Sequence, residues 1–224
     1  MSLAFLCPGQ GSQKIGMGQD IFENSDLAKS HFETANDILG VDIQDIMFNG
    51  PDETLKQTQY TQPALYIVAV TIGLLLIEKG IKPDCAAGHS LGEYSAYALT
   101  GAFDFETGLQ LVNVRAKSMQ NAGTEHPGTM AAIIGLDNEM VENIAKNVSG
   151  TVVAANYNAP GQVVISGTID AVNSAMTTAK ENGARMVIPL NVSGAFHSPL
   201  MRNARGNLAE MIDSIEIRDS IMPV

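Results

Sequence analysis

Apolar positions open the chain as short blocks. Leu3–Cys7 is an uninterrupted apolar run closed by Pro8-Gly9-Gln10-Gly11-Ser12, the pattern of a buried strand ending in a tight turn. A polar-rich helical stretch follows from Phe22 to Leu39, with Gly40 just past its end. The longest apolar run, Ala64 to Ile77, falls short of the roughly 20 residues a bilayer span needs. It reads as a buried helix, with Pro63 in its first turn, Thr61 upstream as a cap and Gly80 beyond its end. Pro83–Gly88 is a second short strand and Leu91–Leu99 a second buried helix, stopped near Gly101. Strand, sharp turn and helix in this order predict a parallel α/β sheet with function at the strands' C-terminal ends.

The rhythm changes after Pro127. Strands are expected at Thr129–Leu136, Thr151–Tyr157, Gln162–Ser166 and Arg185–Ile188, with helices at Asn138–Asn147 and Ile169–Asn182. This β-α-β-β-α-β order is the split βαβ of ferredoxin-like domains. The expected organisation is a large α/β domain of residues 1–126 and 190–224 with a ferredoxin-like domain, 127–189, inserted into it. The chain returns through Ser193-Gly194-Ala195-Phe196-His197-Ser198-Pro199 to a helix over Leu200–Ile212.

Composition narrows the partners. Thirteen Lys and Arg against 24 Asp and Glu give a formal charge of −11, a balance that repels phosphate backbones and anionic membrane surfaces. Neither nucleic acid nor a membrane is expected as a partner. Cys7 and Cys85 each sit in an apolar strand and read as reduced, packed thiols, since two cysteines make no framework. No charged n-region precedes Leu3, and a cytoplasmic monomer is expected.

The chemistry centres on Gly88-His89-Ser90-Leu91-Gly92-Glu93. Gly-x-Ser-x-Gly between a strand and a helix is the nucleophile-elbow pattern, in which the turn is too tight for larger side chains. The following helix directs its positive end at Ser90, and the backbone N–H of Leu91 is a natural oxyanion donor. A serine hydroxyl needs a base. His31 lies in a polar helix and His126 in a Gly/Pro-flanked loop, both read as solvated. His89 adjoins the serine, but successive side chains diverge there, so a structural hydrogen bond is expected of it. His197, in a loop at the junction with the inserted domain, is the best candidate base. Gly9-Gln10-Gly11 has Lys14 where a dinucleotide loop would carry its third glycine, so the signal for a nucleotide is weak. Asn156 and Asn158 are candidates to line a cleft, although turn chemistry explains them equally well.

With these residues in view, the chain resembles the malonyl-CoA:acyl-carrier-protein transacylases of type II fatty acid synthesis. The resemblance rests on Pro8-Gly9-Gln10-Gly11-Ser12-Gln13, on the Ser90 motif and on Arg115 to Met119. Asn156-Tyr157-Asn158-Ala159-Pro160-Gly161-Gln162 and Ala195-Phe196-His197-Ser198 complete it. It implies an α/β-hydrolase-like large domain with a ferredoxin-like insertion. Ser90 would carry a malonyl ester, and His197 would serve as general base and then acid. Backbone N–H groups of Gln10 and Leu91 would form the oxyanion hole, and Arg115 would hold the malonyl carboxylate. Phe196 resembles the residue of malonyl-selective members, an aromatic wall against a methyl branch. The partners implied are malonyl-CoA and acyl carrier protein, with no metal or redox cofactor. Family members continue past the equivalent of Val224, and the part expected to be missing supplies a carbonyl that orients the histidine.

Two other readings stay open. One is a serine esterase or thioesterase of the α/β-hydrolase type, with Asp104, Asp137 or Asp170 as the triad acid. The other is an inactive fragment that only binds carrier protein, through Lys117, Lys180 and Arg185.

Overall fold

The computed structural model describes residues 2–224. They form an α/β protein of two compact units, Met1–Lys117 with Leu208–Val224 and Ser118–Asn207. The second unit extends beyond residues 127–189 at both ends, taking in the last turns of a helix before it and the His197 loop after it.

In the first unit β1 (Ala4–Cys7) and β2 (Cys85–Gly88) pair in parallel, with Ala4 opposite Cys85 and Cys7 opposite Gly88. The register brings the loops after both strands to one end of the pair. Between them run α1 (Gln19–Asn24), α2 (Asp26–Leu39), α3 (Ile43–Phe48), α4 (Asp52–Leu55) and α5 (Thr58–Glu78). The single helix expected over Phe22–Leu39 is two, because Ser25 leaves helical geometry and its side chain accepts from Ala28 N. That is the N-cap preference of serine. Ala28, His31, Phe32, Ala35 and Leu39 line the buried stripe of α2, spaced as an amphipathic helix requires. The short α3 and α4 have no long periodic signal and were not expected.

Helix α5 begins at Thr58, so Pro63 lies inside it rather than in its first turn. Thr61 is not a cap; its hydroxyl donates to Leu55 O at 2.5 Å. At 21 residues α5 is long and apolar enough to cross a membrane by length and composition, which corrects the shorter span read from Ala64–Ile77. Of an apolar window of 18 residues within α5, 56 % is buried within the protein. Leu65, Tyr66, Ile67 and Val70 join Phe32, Ile43, Met47 and Leu91 in the principal core. After β2 come α6 (Gly92–Leu99) and α7 (Phe105–Glu125), and α10 (Arg202–Asp213) leads into the C-terminal segment.

His31 is buried at 8 % exposure, not solvated. Its ring stacks on Phe105 with centroids 3.8 Å apart, and Nδ1 lies 2.9 Å from Thr71 Oγ1. Thr71 donates its own proton to Ile67 O, so the contact assigns the proton to His31 Nδ1. Burial lowers the imidazole from its ordinary 6.5 to about 4. A base whose folded pKa is depressed takes up a proton more readily when unfolded. Its contribution is complete above pH 6.5 and is lost as pH falls toward 4. From pH 7 to pH 5 this group is expected to remove about 2 kcal/mol of stability. Urea unfolding of wild type and His31→Phe at both values checks it, the variant losing that part of the slope.

In the second unit β3 (Thr129–Ile134), α8 (Asn138–Asn147), β4 (Val152–Ala159), β5 (Gln162–Gly167), α9 (Ile169–Glu181) and β6 (Met186–Leu190) follow one another. The sheet order is β4-β5-β3-β6 and every pairing is antiparallel, the ferredoxin-like arrangement. Ala131, Ile133, Val163 and Ile165 pack with Val141 and Ile144 of α8 and Val172 and Ala175 of α9. Met130, Ala132 and Val164 pack instead with Met119, Phe196 and Met201. The alternation of strand side chains thus supplies two cores from one sheet. Both cysteine thiols are free; Cys7 is buried and Cys85 half-buried.

Candidate active site

Ser90 stands on a turn whose shape depends on two glycines. A Cβ on Gly88 would overlap the backbone of Gly92 and Glu93, and one on Gly92 would overlap the carbonyl of Cys7. The obstacles are backbone atoms and cannot rotate aside. Ser90 itself has φ 55°, in the left-handed region, where a non-glycine residue is held at a cost of order 1 kcal/mol or more. The main chain closes the turn: His89 N donates to Cys7 O, Gly92 N to His89 O and Glu93 N to Ser90 O, at 3.0, 3.0 and 3.2 Å.

Helix α6 starts at Gly92, one residue later than expected, and Leu91 is its N-cap residue with no side-chain cap. The N–H groups of Gly92, Glu93 and Tyr94 serve the entry turn. That of Leu91 lies ahead of the helical ladder and is the first available to charge developing at Ser90. The Gln10 loop follows the neighbouring strand. A Cβ at Gly9 would meet His89 O and Nδ1, so the loops after β1 and β2 are in contact. Gln10 is half-buried, and its side chain donates to Thr58 Oγ1 at 3.3 Å.

Arg115 comes from α7 and is only 8 % exposed. Nη2 donates to Ser90 Oγ at 2.9 Å and Nη1 to Gln62 Oε1 at 2.6 Å. The Tyr94 ring lies beneath, 5.6 Å from Cζ to centroid, within cation–π range. Burial lowers the Arg115 pKa, while the charge of Glu93 and contact with Tyr94 support the cation. Burial also raises the Tyr94 phenol. The ion pairs found among the described residues are lysine–carboxylate contacts, and none involves Arg115. A desolvated guanidinium held by neutral acceptors is a preformed receptor for an anion.

Gln62, Thr58 and Tyr94 were not singled out from the sequence. A signal existed for the first two: Thr58, Thr61 and Gln62 are polar positions at i, i+3 and i+4, on one face at the head of an apolar helix, and the structure buries all three.

His197, Phe196 and Asn156 belong to the second unit. His197 is exposed and has φ 59°. Its neighbours Ala195, Phe196 and Ser198 are buried at 0 %, 5 % and 8 % exposure. Ser198 Oγ donates to Ala195 O at 2.6 Å and accepts from Leu200 N. The loop is anchored on both sides of the imidazole it displays. Phe196 packs in the core beside Met119 and Met201. Asn156 is half-buried on β4, opposite Val164 and next to a register shift.

A family model described as "Acyl transferase domain" matches residues 4–223. The chain belongs to the acyl transferase domain family. It is 44 % identical to the malonyl CoA-acyl carrier protein transacylase of Bacillus subtilis (strain 168), over 99 % of this chain and 71 % of that protein. The enzyme of the same name from Haemophilus influenzae is also 44 % identical, over 99 % of this chain and 72 % of its own. Among solved structures, a malonyl-transacylase in complex with its type II PKS acyl-carrier protein has TM-score 0.94 and 41 % identity, covering 100 % of this chain and 74 % of that one. The malonyl CoA-acyl carrier protein transacylase from Coxiella burnetii has TM-score 0.94 and 40 % identity, with 100 % and 72 % covered. In this acyl transferase the Ser90 turn and Arg115 lie in the unit built on the parallel strands.

Proposed function

We propose that this acyltransferase moves a malonyl group from malonyl-CoA to the phosphopantetheine thiol of an acyl carrier protein through an ester on Ser90. The observation that carries the reading is a buried guanidinium 2.9 Å from an elbow serine, which pairs a carboxylate receptor with a nucleophile. In the first half-reaction Ser90 Oγ attacks the thioester carbonyl while His197 takes the hydroxyl proton. The N–H groups of Leu91 and Gln10 stabilise the oxyanion, and coenzyme A leaves as the thiol once the proton is returned. In the second, the carrier's thiol gives its proton to His197 and attacks the ester, and Ser90 recovers its hydrogen. Both acyl carriers are thioesters, so the proposal needs no metal or redox cofactor.

Malonyl-CoA is expected to add one malonyl group to the wild-type chain, located on the Ser90 peptide by mass spectrometry. A chain that takes no adduct, or carries it elsewhere, refutes the reading. Arg115→Ala is expected to lower the malonyl-over-acetyl preference in kcat/KM by roughly 30- to 1,000-fold, the worth of a desolvated charge pair. Competition between the two thioesters measures it.

The esterase reading loses support from its own acids. Asp104 accepts from Thr107 N at 2.8 Å and Asp137 from Met140 N at 2.7 Å, so both serve helix N-termini. Asp170 lies exposed in the first turn of α9.

A further inference from the structure

The guanidinium proposed to receive the substrate's carboxylate is already engaged within the protein, and one of its acceptors is the proposed nucleophile. Nη2 donates to Ser90 Oγ at 2.9 Å. A hydroxyl oxygen that accepts a hydrogen bond from a cation has less electron density to offer a carbonyl carbon, and charge-assisted bonds are the stronger kind. We propose that Arg115 restrains Ser90 in the free enzyme, and that the substrate's own carboxylate lifts the restraint by drawing Nη2 away from Oγ. The proposal rests on the malonyl-transfer reading for the identity of that carboxylate.

The partners of Arg115 determine which contact gives way. On one side Nη1 bonds Gln62 Oε1 at 2.6 Å, and Gln62 is 1 % exposed, fixed on α5. On the other side the acceptor is a neutral hydroxyl, half-buried, at a longer distance. No carboxylate forms an ion pair with Arg115 among the described residues. An incoming carboxylate brings a full negative charge to a desolvated cation and outcompetes the hydroxyl. Gln62 then acts as the pivot, and the Ser90 contact is the one exchanged. An acyl group without a carboxylate makes no such exchange and meets a damped nucleophile. Discrimination therefore falls on the acylation rate as well as on binding, and the enzyme is protected from idle acylation by neutral esters.

The test uses p-nitrophenyl acetate, a neutral electrophile. The Ser90 Oγ–carbonyl bond forms, the ester C–O bond breaks, p-nitrophenolate departs with the electron pair and the hydroxyl proton passes to the general base. Arg115→Met, which keeps most of the side-chain volume, and Arg115→Ala are each expected to be acylated roughly 3- to 10-fold faster than wild type, the factor one relinquished hydrogen bond supplies. A rate equal to or below wild type in a variant that unfolds thermally like wild type overturns the proposal.

If neither variant folds, the wild-type chain decides. Malonyl-CoA is compared with malonamyl-CoA, in which an amide replaces the carboxylate at the same shape. The neutral thioester is expected to show a saturating acylation rate roughly 3- to 10-fold lower. Equal saturating rates with a difference confined to KM overturn the restraint. Failure of the malonyl reading is seen separately, as absence of a malonyl adduct on Ser90, whereas the ester experiment reports on the restraint alone.

Discussion

Ser90→Ala is expected to reduce malonyl transfer by at least about 10⁴-fold and to remove the covalent adduct completely. Alanine accepts the same site without losing the Gly88 and Gly92 clearances, so the turn persists. What disappears is the only atom of this chain that bonds to the acyl carbon in the proposed mechanism. The residual rate is that of a pocket that binds thioester and thiol without an intermediate. Arg115 simultaneously loses the hydroxyl acceptor of Nη2, which leaves the guanidinium freer to hold a carboxylate. Malonyl-CoA binding is therefore expected to persist or tighten while turnover vanishes. Calorimetric titration of the variant beside a radiolabel transfer assay separates the two, and turnover near the wild-type rate would assign the chemistry to another group.

Gly92→Ala is expected to cost about 3 kcal/mol or more in stability. The new Cβ runs into Cys7 O and comes within 2.7 Å of Cys7 C and 3.0 Å of Pro8 O. All three are main-chain atoms at the end of β1, whose position the parallel pairing with β2 fixes, so relief requires moving a strand end or the helix entry. For a chain of this size the loss lowers the melting temperature by roughly 6–12 °C. Gly206, in α10, is the internal control, since an added Cβ there meets nothing within 4 Å. Gly206→Ala is expected to stabilise by about 0.5–1 kcal/mol through helix propensity. Thermal denaturation of both variants checks the contrast, and equal effects would mean that backbone crowding does not set the glycine at position 92.

Local sequence carried the elbow because the pattern that marks the turn is written in adjacent residues. Strand, glycine, serine, glycine and helix follow one another, and Gly88 answers to Gly92 and Glu93, which the turn itself brings close, whereas the obstacle to a side chain at Gly92 is the distant end of β1 at Cys7 and Pro8. The split βαβ pattern was legible for the same reason: strand alternation and helix periodicity are local, and Asp137 caps α8 three residues from the group it serves. His31 was misread because its helix is polar on average. Burial depends on which face meets α5 and Phe105, and helix-wide composition does not record a face. The expected start of α5 failed on a related point, since proline is compatible with an early helical turn but does not specify where that helix begins.

The sequence by itself determined the strand–turn–helix elbow at Ser90, the family pattern around it and the ferredoxin-like order of the second unit, all properties of residues near one another along the chain. Only the tertiary structure decided what surrounds Arg115. Its acceptors come from α5, 53 residues away, and from the elbow, 25 residues away. The charge of a guanidinium is evident in any sequence. Its desolvation, its neutral partners and its contact with Ser90 Oγ arise only when distant segments exclude water together.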